Sequence, residues 1–182
     1  MTTQIEYARS GQITDPMRTV AEKEGLSAEL VREQIASGRL VIPANRIHLA
    51  GNLIPTGIGR AASTKINANI GCSSVRSDLD YEIQKLKTAL EAGADAVMDL
   101  STGGDLDAIR KRLLDECPAP FGTVPIYEVI VGRGVDQIDH AAILKVVEKQ
   151  AAQGVDFFTI HAGLLREHLD LIDKRVCGIV SR

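Results

Sequence analysis

Asn67, Asn69, Met98, Ser101, Thr102, Tyr127 and His161, with Ser181-Arg182 at the end of the sequence, are the residues whose types could do chemistry. Each lies in or just after a short, largely apolar run, near the C-terminal tip of an expected strand. Together they offer amides, hydroxyls, a thioether, an imidazole and a guanidinium. Asp99 is the one carboxylate inside such a run, and Glu128 is a second just after another. Hydrolysis by paired acids wants two facing carboxylates, so this set suits holding a polar heterocycle and a phosphate instead. Ser101-Thr102-Gly103-Gly104 precedes a helical pattern, and its backbone N–H groups could cradle a phosphate. The same four residues serve as readily as an N-cap and turn. Met98 reads as core filler or as a contact, and Asn67 and Asn69 as strand ends satisfied by backbone or as ligand amides. His161 follows a mostly apolar run and needs a polar partner or a ligand. His48, His140 and His168 lack ligand spacing and read as solvated or capping. Arg60 and Lys65 read as surface charges or phosphate ligands, and Cys72 as a small turn residue. No metal site assembles from the sequence.

The elements that must position these residues are organised around 94–104. There an apolar burst, Ala96-Val97-Met98-Asp99-Leu100, is broken by Ser-Thr-Gly-Gly and followed by an amphipathic stretch. This reads as a strand covered on both faces, a turn and a helix. The plan recurs, giving strands at 65–70, 95–100, 123–127, 155–161 and 176–180 and helices at 78–92, 106–116, 138–153 and 163–171. The glycine-capped helix end and buried strand at 91–100 are echoed at 152–161. Residues 1–38 form a helical hairpin, with Thr14-Asp15-Pro16 and Ser27 as helix starts. The segment 45–59 is a loop, as is 128–136. The fold class is therefore α/β, an incomplete (β/α)8 TIM-type barrel of about five βα units with a short N-terminal helical arm. Residues 1–59 are the arm and loop, and 60–182 the first five strands. In such a barrel Val97, Ile126, Phe158 and Ile179 point inward. A five-stranded doubly wound sheet is the competing architecture, but no Gly-x-Gly-x-x-Gly follows the first strand.

Lys and Arg number 21 against 24 acids in 182 residues, a net charge of −3. That balance argues against a nucleic-acid partner. No apolar run is long enough to span a membrane and no signal-peptide core opens the chain, so the expected location is the cytoplasm, with no membrane partner. The three cysteines lie far apart, which excludes a disulfide framework and a Cys-x-x-Cys knuckle.

GIGR and KINANIG (57–71), EAGADAVMDLSTGGDLD (91–107), GTVPIY (122–127), GVDFFTIHAG (154–163) and CGIVSR (177–182) resemble, in order, the signature blocks of the ThiC family. These are radical S-adenosylmethionine enzymes of thiamine biosynthesis; ITDPMRTVAEKEG (13–25) also resembles the family's short-form start. The resemblance implies a (β/α)8 barrel that converts 5-aminoimidazole ribonucleotide to 4-amino-5-hydroxymethyl-2-methylpyrimidine phosphate, a carbon–carbon lyase reaction. It implies substrate contacts at Asn69, Met98, Tyr127 and His161, with Ser181 on the phosphate side. Ser101, Thr102, Gly103 and Arg182 are candidate phosphate or pocket contacts. For the full-length family it implies S-adenosylmethionine, a 4Fe–4S cluster held by a C-terminal Cys-x-x-Cys-x-x-x-x-Cys, a divalent metal such as zinc, and a homodimer. Cys72, Cys117 and Cys177 cannot stand in for that motif. The chain is expected to be truncated before it, to bind no cofactor and to be inactive alone. Paralogues that make 5-hydroxybenzimidazole for the cobamide lower ligand are an alternative, with Glu128 placed to alter the pocket wall. A non-catalytic ribonucleotide-binding fragment is another.

Overall fold

The computed structural model describes residues 2–76, 78–174 and 176–177. The N-terminal part folds as expected into capped helices. Helix α1 (Gln4–Arg9) starts with a capping box between Thr3 and Glu6, which satisfies two otherwise orphaned N–H donors. Helix α2 (Asp15–Glu24) is capped by Thr14 and ended by Gly25 at φ 64°, a left-handed stop that only glycine adopts cheaply. Helix α3 (Ala28–Ala36) is capped by Ser27. Ala8, Met17, Val20, Val31, Ile35 and Leu40 bury one another between them.

The segment 45–59 is not the featureless loop expected. Asn45 caps a short helix, α4 (Arg46–Ala50). Strand β1 (Leu40–Val41) pairs antiparallel with β2 (Ile58–Gly59). Five residues carry too little periodicity to announce a helix, and Asn45 is legible as a cap only once the helix is known.

From residue 67 four parallel strands follow in strict order: β3 (Asn67–Ile70), β4 (Ala96–Asp99), β5 (Phe121–Thr123) and β6 (Phe157–Phe158). Helices α5 (Leu79–Glu91) and α6 (Leu106–Glu116) make the first two crossovers, and α7 (Pro125–Ile130) with α8 (His140–Gln153) the third. Asp78, Asp105 and Asp139 each cap a helix through the side chain. Leu79, Ile83, Leu86 and Leu90 supply the stripe that docks α5 on the sheet. Among the described strands the order never reverses, as it would in a doubly wound sheet.

The register assigns the two faces. Ala68, Val97 and Phe121 form one row, and Ile70, Asp99, Thr123 and Phe158 the next on the same side. Val97 and Phe121 are fully buried, and this side packs on Ile83, Leu86, Ile109, Leu113 and Leu114. Thr123 reaches α8, donating to Gln150 Oε1 at 2.6 Å. The crossover helices thus cover one face. The other face carries Asn67, Asn69, Met98, Gly122 and Phe157 and stays open. Val97 and Phe158 therefore point to the helices, contrary to expectation. An unbroken apolar run has no alternation to reveal which side is which.

Three further expectations are corrected. The strand placed at 123–127 lies at 121–123, because Pro125 starts α7 at its first turn and a proline cannot donate to a sheet ladder; Ile126 and Tyr127 are therefore helical. The strand at 155–161 narrows to Phe157–Phe158. The helix at 163–171 is a 3-10 stretch, Arg166–Lys174. Of the strand at 176–180, Val176 and Cys177 form a turn, and Ile179, Ser181 and Arg182 lie outside the described residues. Among the described residues no helix is long and apolar enough to cross a membrane.

Candidate functional site

Asn69 and Met98 are register partners in neighbouring strands and share the open face. Asn67, two residues earlier, donates from its amide to Asn69 Oδ1 at 2.8 Å. Met98 is half-buried, and its sulfur accepts from the Thr159 hydroxyl at 3.1 Å. The backbone N–H of Thr159 donates to the Thr123 carbonyl at 2.9 Å, carrying the β5–β6 ladder past its last residue. Two residues on, the His161 ring meets Tyr127 with centroids 5.7 Å apart and planes at 40°. Tyr127 is buried and His161 exposed. The four residues implied as substrate contacts thus line one end of the sheet, although Tyr127 arrives on α7 rather than on a strand. Thr159 and Phe157 were missed. Alternation with His161 (157, 159, 161) is the signal that puts all three on one face.

The turn after β4 is differently occupied. Ser101 donates its hydroxyl and its N–H to Asp99 Oδ1, at 2.5 and 2.9 Å. Its oxygen accepts from the Cys72 N–H at 2.9 Å. The Thr102 N–H donates to the Cys72 carbonyl at 2.9 Å. Two of the N–H groups that could have cradled a phosphate are therefore spent on the protein. Gly103 lies against the backbone of Ser73 and Ser74, where a Cβ would come within 2.5 Å of the Ser73 carbonyl carbon. Ser101, Thr102 and Gly103 thus join two loops at the sheet end. Asp99 is on the helix-covered side, and burial pushes its carboxyl up despite the bonds from Ser101.

Glu128 is away from the open face. Its carboxylate accepts from Arg110 Nη2 at 2.5 Å and Gln150 Nε2 at 2.7 Å, and also pairs with Lys149. Burial alone would raise its pKa, but Lys149, Gln150 and Arg110 outweigh it and the net shift is downward. It ties α6, α7 and α8 together.

His48 is not solvated either. Its ring is buried, with Nδ1 2.7 Å from Asp156 Oδ2 and Nε2 2.7 Å from the Cys117 carbonyl. Lys65 pairs with Glu24 at 2.7 Å, both side chains nearly buried, so it joins the arm to the strand layer. His140 is exposed, and His168 is half-buried with its Nδ1 accepting from the Leu165 N–H at 3.2 Å. Cys72 and Cys117 are buried in the core and Cys177 is exposed. Burial pushes the Cys117 thiol up to about 12, the opposite of what a thiolate ligand needs. Among the described residues no group of three or more His, Cys, Asp or Glu is arranged to hold a metal ion. The residues present do not fit an iron–sulfur cluster.

Against known families, residues 3–182 match the radical SAM ThiC family. A phosphomethylpyrimidine synthase of Halobacterium salinarum is 54% identical over 183 aligned positions, covering 100% of this chain and 38% of that protein. One of Natronomonas pharaonis is 54% identical over 188, with the same coverage. The chain thus spans well under half the length of the curated relatives it matches.

Proposed function

The chain belongs to the radical SAM ThiC family, and from that premise we propose that its open sheet face holds 5-aminoimidazole ribonucleotide for conversion to the pyrimidine phosphate precursor of thiamine. The observation that carries this reading is the continuity of the site. Asn69 and Met98 are register partners, Thr159 links Met98 to the end of β6, and His161 there meets Tyr127. The strict strand order with one-sided helices supports a (β/α)8 barrel for the whole enzyme, in which the open face is the inner wall and substrate binds at the strand ends. The Asn69 amide can donate to a ring nitrogen and accept from an exocyclic amine. Met98 offers a polarizable contact to the flat ring. Tyr127 and His161 are assigned to the ribose side; Ser181 and Arg182, implied near the phosphate by the resemblance, lie outside the described residues. In the family, S-adenosylmethionine and a 4Fe–4S cluster supply the radical; the role assigned to this chain's residues is to bind and orient the ribonucleotide.

Calorimetric titration with 5-aminoimidazole ribonucleotide tests the proposal, with ribose 5-phosphate as the control lacking the ring. Binding of the first, much weaker binding of the second, and about a tenfold loss for Asn69→Ala or His161→Ala are expected, the scale of one lost hydrogen bond. Equal heats for the two ligands, or no heat with either, would overturn it.

A further inference from the structure

Thr159 has no place among the contacts implied by the family blocks, yet it stands just past the end of β6 with its hydroxyl turned over the open face. Its hydroxyl lies 3.1 Å from the Met98 sulfur. A thioether carries no proton, so the hydroxyl must donate and the sulfur accept. Met98 belongs to β4 and Thr159 follows β6, so the bond passes over β5. The β5 residue in the row of Met98 is Gly122, whose missing side chain leaves room for the Phe157 ring beneath the approach; a Cβ there would run into that ring. A half-exposed methionine has three rotatable bonds and ordinarily samples several arrangements. Here the sulfur is tied to a residue whose own backbone is fixed by the ladder bond to Thr123.

We propose that Thr159 is a positioning residue: it holds the Met98 thioether in one orientation on the open face, so that the sulfur and methyl meet the flat ring of a heterocyclic nucleotide without first having to be ordered. Ordering the contact before the ligand arrives lowers the entropy lost on binding. The identity of the nucleotide rests on the reading above; the orientation of Met98 does not.

The test labels the methionine methyl groups of the 182-residue chain with 13C. Three methionines give three resonances, of which Met17, fully buried in the arm, reports on folding. Thr159→Val removes the hydroxyl and keeps the shape, and Thr159→Ser keeps the hydroxyl. Thr159→Val should shift the Met98 resonance and leave Met17 in place, while Thr159→Ser restores the wild-type position. The dissociation constant for 5-aminoimidazole ribonucleotide should rise about 3- to 10-fold in the valine variant and recover in the serine variant. If the valine variant also displaces the Met17 resonance, Thr159→Ala is read in its place. A Met98 resonance indifferent to loss of the hydroxyl overturns the proposal, as does ribonucleotide binding that is measurable and equally tight in all variants. A Met98 resonance that responds as stated in a chain that binds no ribonucleotide supports the positioning role and refutes the substrate.

Discussion

His48 Nδ1 stands 2.7 Å from Asp156 Oδ2 with the two side chains 2% and 0% exposed, and the pair joins α4 to the start of β6. The same carboxylate accepts from the backbone N–H groups of Asn45 and Phe121, at 2.6 and 2.7 Å. Because the Cys117 carbonyl can only accept, Nε2 carries a proton, and an imidazolium satisfies both neighbours.

The pair makes stability depend on pH. Burial alone would lower the His48 pKa from 6.5, but the hydrogen bond and charge of Asp156 and the Cys117 carbonyl outweigh it and the net shift is upward. A raised histidine contributes stability that is complete below its unfolded value and is lost as pH rises through its folded value. Urea unfolding of the wild type from about pH 6 to about pH 9 should show a decline that His48→Gln lacks. Equal slopes would refute the assignment. Asp156→Ala should cost about 3–5 kcal/mol, the scale of leaving a buried charge unpaired.

Glu128 and Arg110 give the second prediction. The Arg110 side chain is 3% exposed and that of Glu128 11%; without Glu128, Arg110 keeps Asp107 and Gln153 but loses one of its partners. Glu128→Ala should lower stability by about 1–3 kcal/mol, the scale of losing hydrogen bonds to charged groups, and the double variant with Arg110→Met should lose less than the sum. The lowered pKa of Glu128 adds stability above its unfolded value that is lost as pH falls through the folded one. Ribonucleotide affinity should be unaffected by Glu128→Gln; a large change would return Glu128 to the pocket.

Gly103 supplies the third. Gly103→Ala puts a methyl 2.5 Å from the Ser73 carbonyl carbon and 2.6 Å from the Ser74 nitrogen, both backbone atoms that cannot rotate away. A loss of about 1–3 kcal/mol is expected from forcing the two loops apart. Chemical denaturation measures it, and a change within error would mean the loops part without cost.

What the sequence made legible follows the range of the interactions. Helices α5 and α6 could be placed from their own apolar spacing and aspartate caps, because those signals lie within one or two turns. Asn69, Met98 and His161 could be set near one end of the sheet because each lies in or just after its own short run. Tyr127 was set on a strand because Thr123-Val124-Pro125-Ile126 is apolar and β-branched, and only the sheet register shows that pairing stops at Thr123. His48 was illegible for a different reason: its partners lie 108 and 69 positions away, and nothing near it in the chain hints at a carboxylate. The Thr159–Met98 bond spans 61 positions and belongs to the same class.

The arm and the strand layer keep separate apolar clusters: one built from Ala8, Met17, Val20, Val31 and Ile35, the other from Ile70, Val97, Phe121 and the helices behind them. They meet through the Glu24–Lys65 and His48–Asp156 pairs and through hydrogen bonds from Asn45 to Ala151 and Val155, from Asn52 to Asp115 and from Ile54 to Pro118. Two cores joined by a few polar junctions make two cooperative units, each able to open at its own free energy. Amide protons of α2 and α3 would then exchange with solvent on a different schedule from those of β4 and β5, and weakening the Glu24–Lys65 junction would speed the arm while leaving the sheet protected.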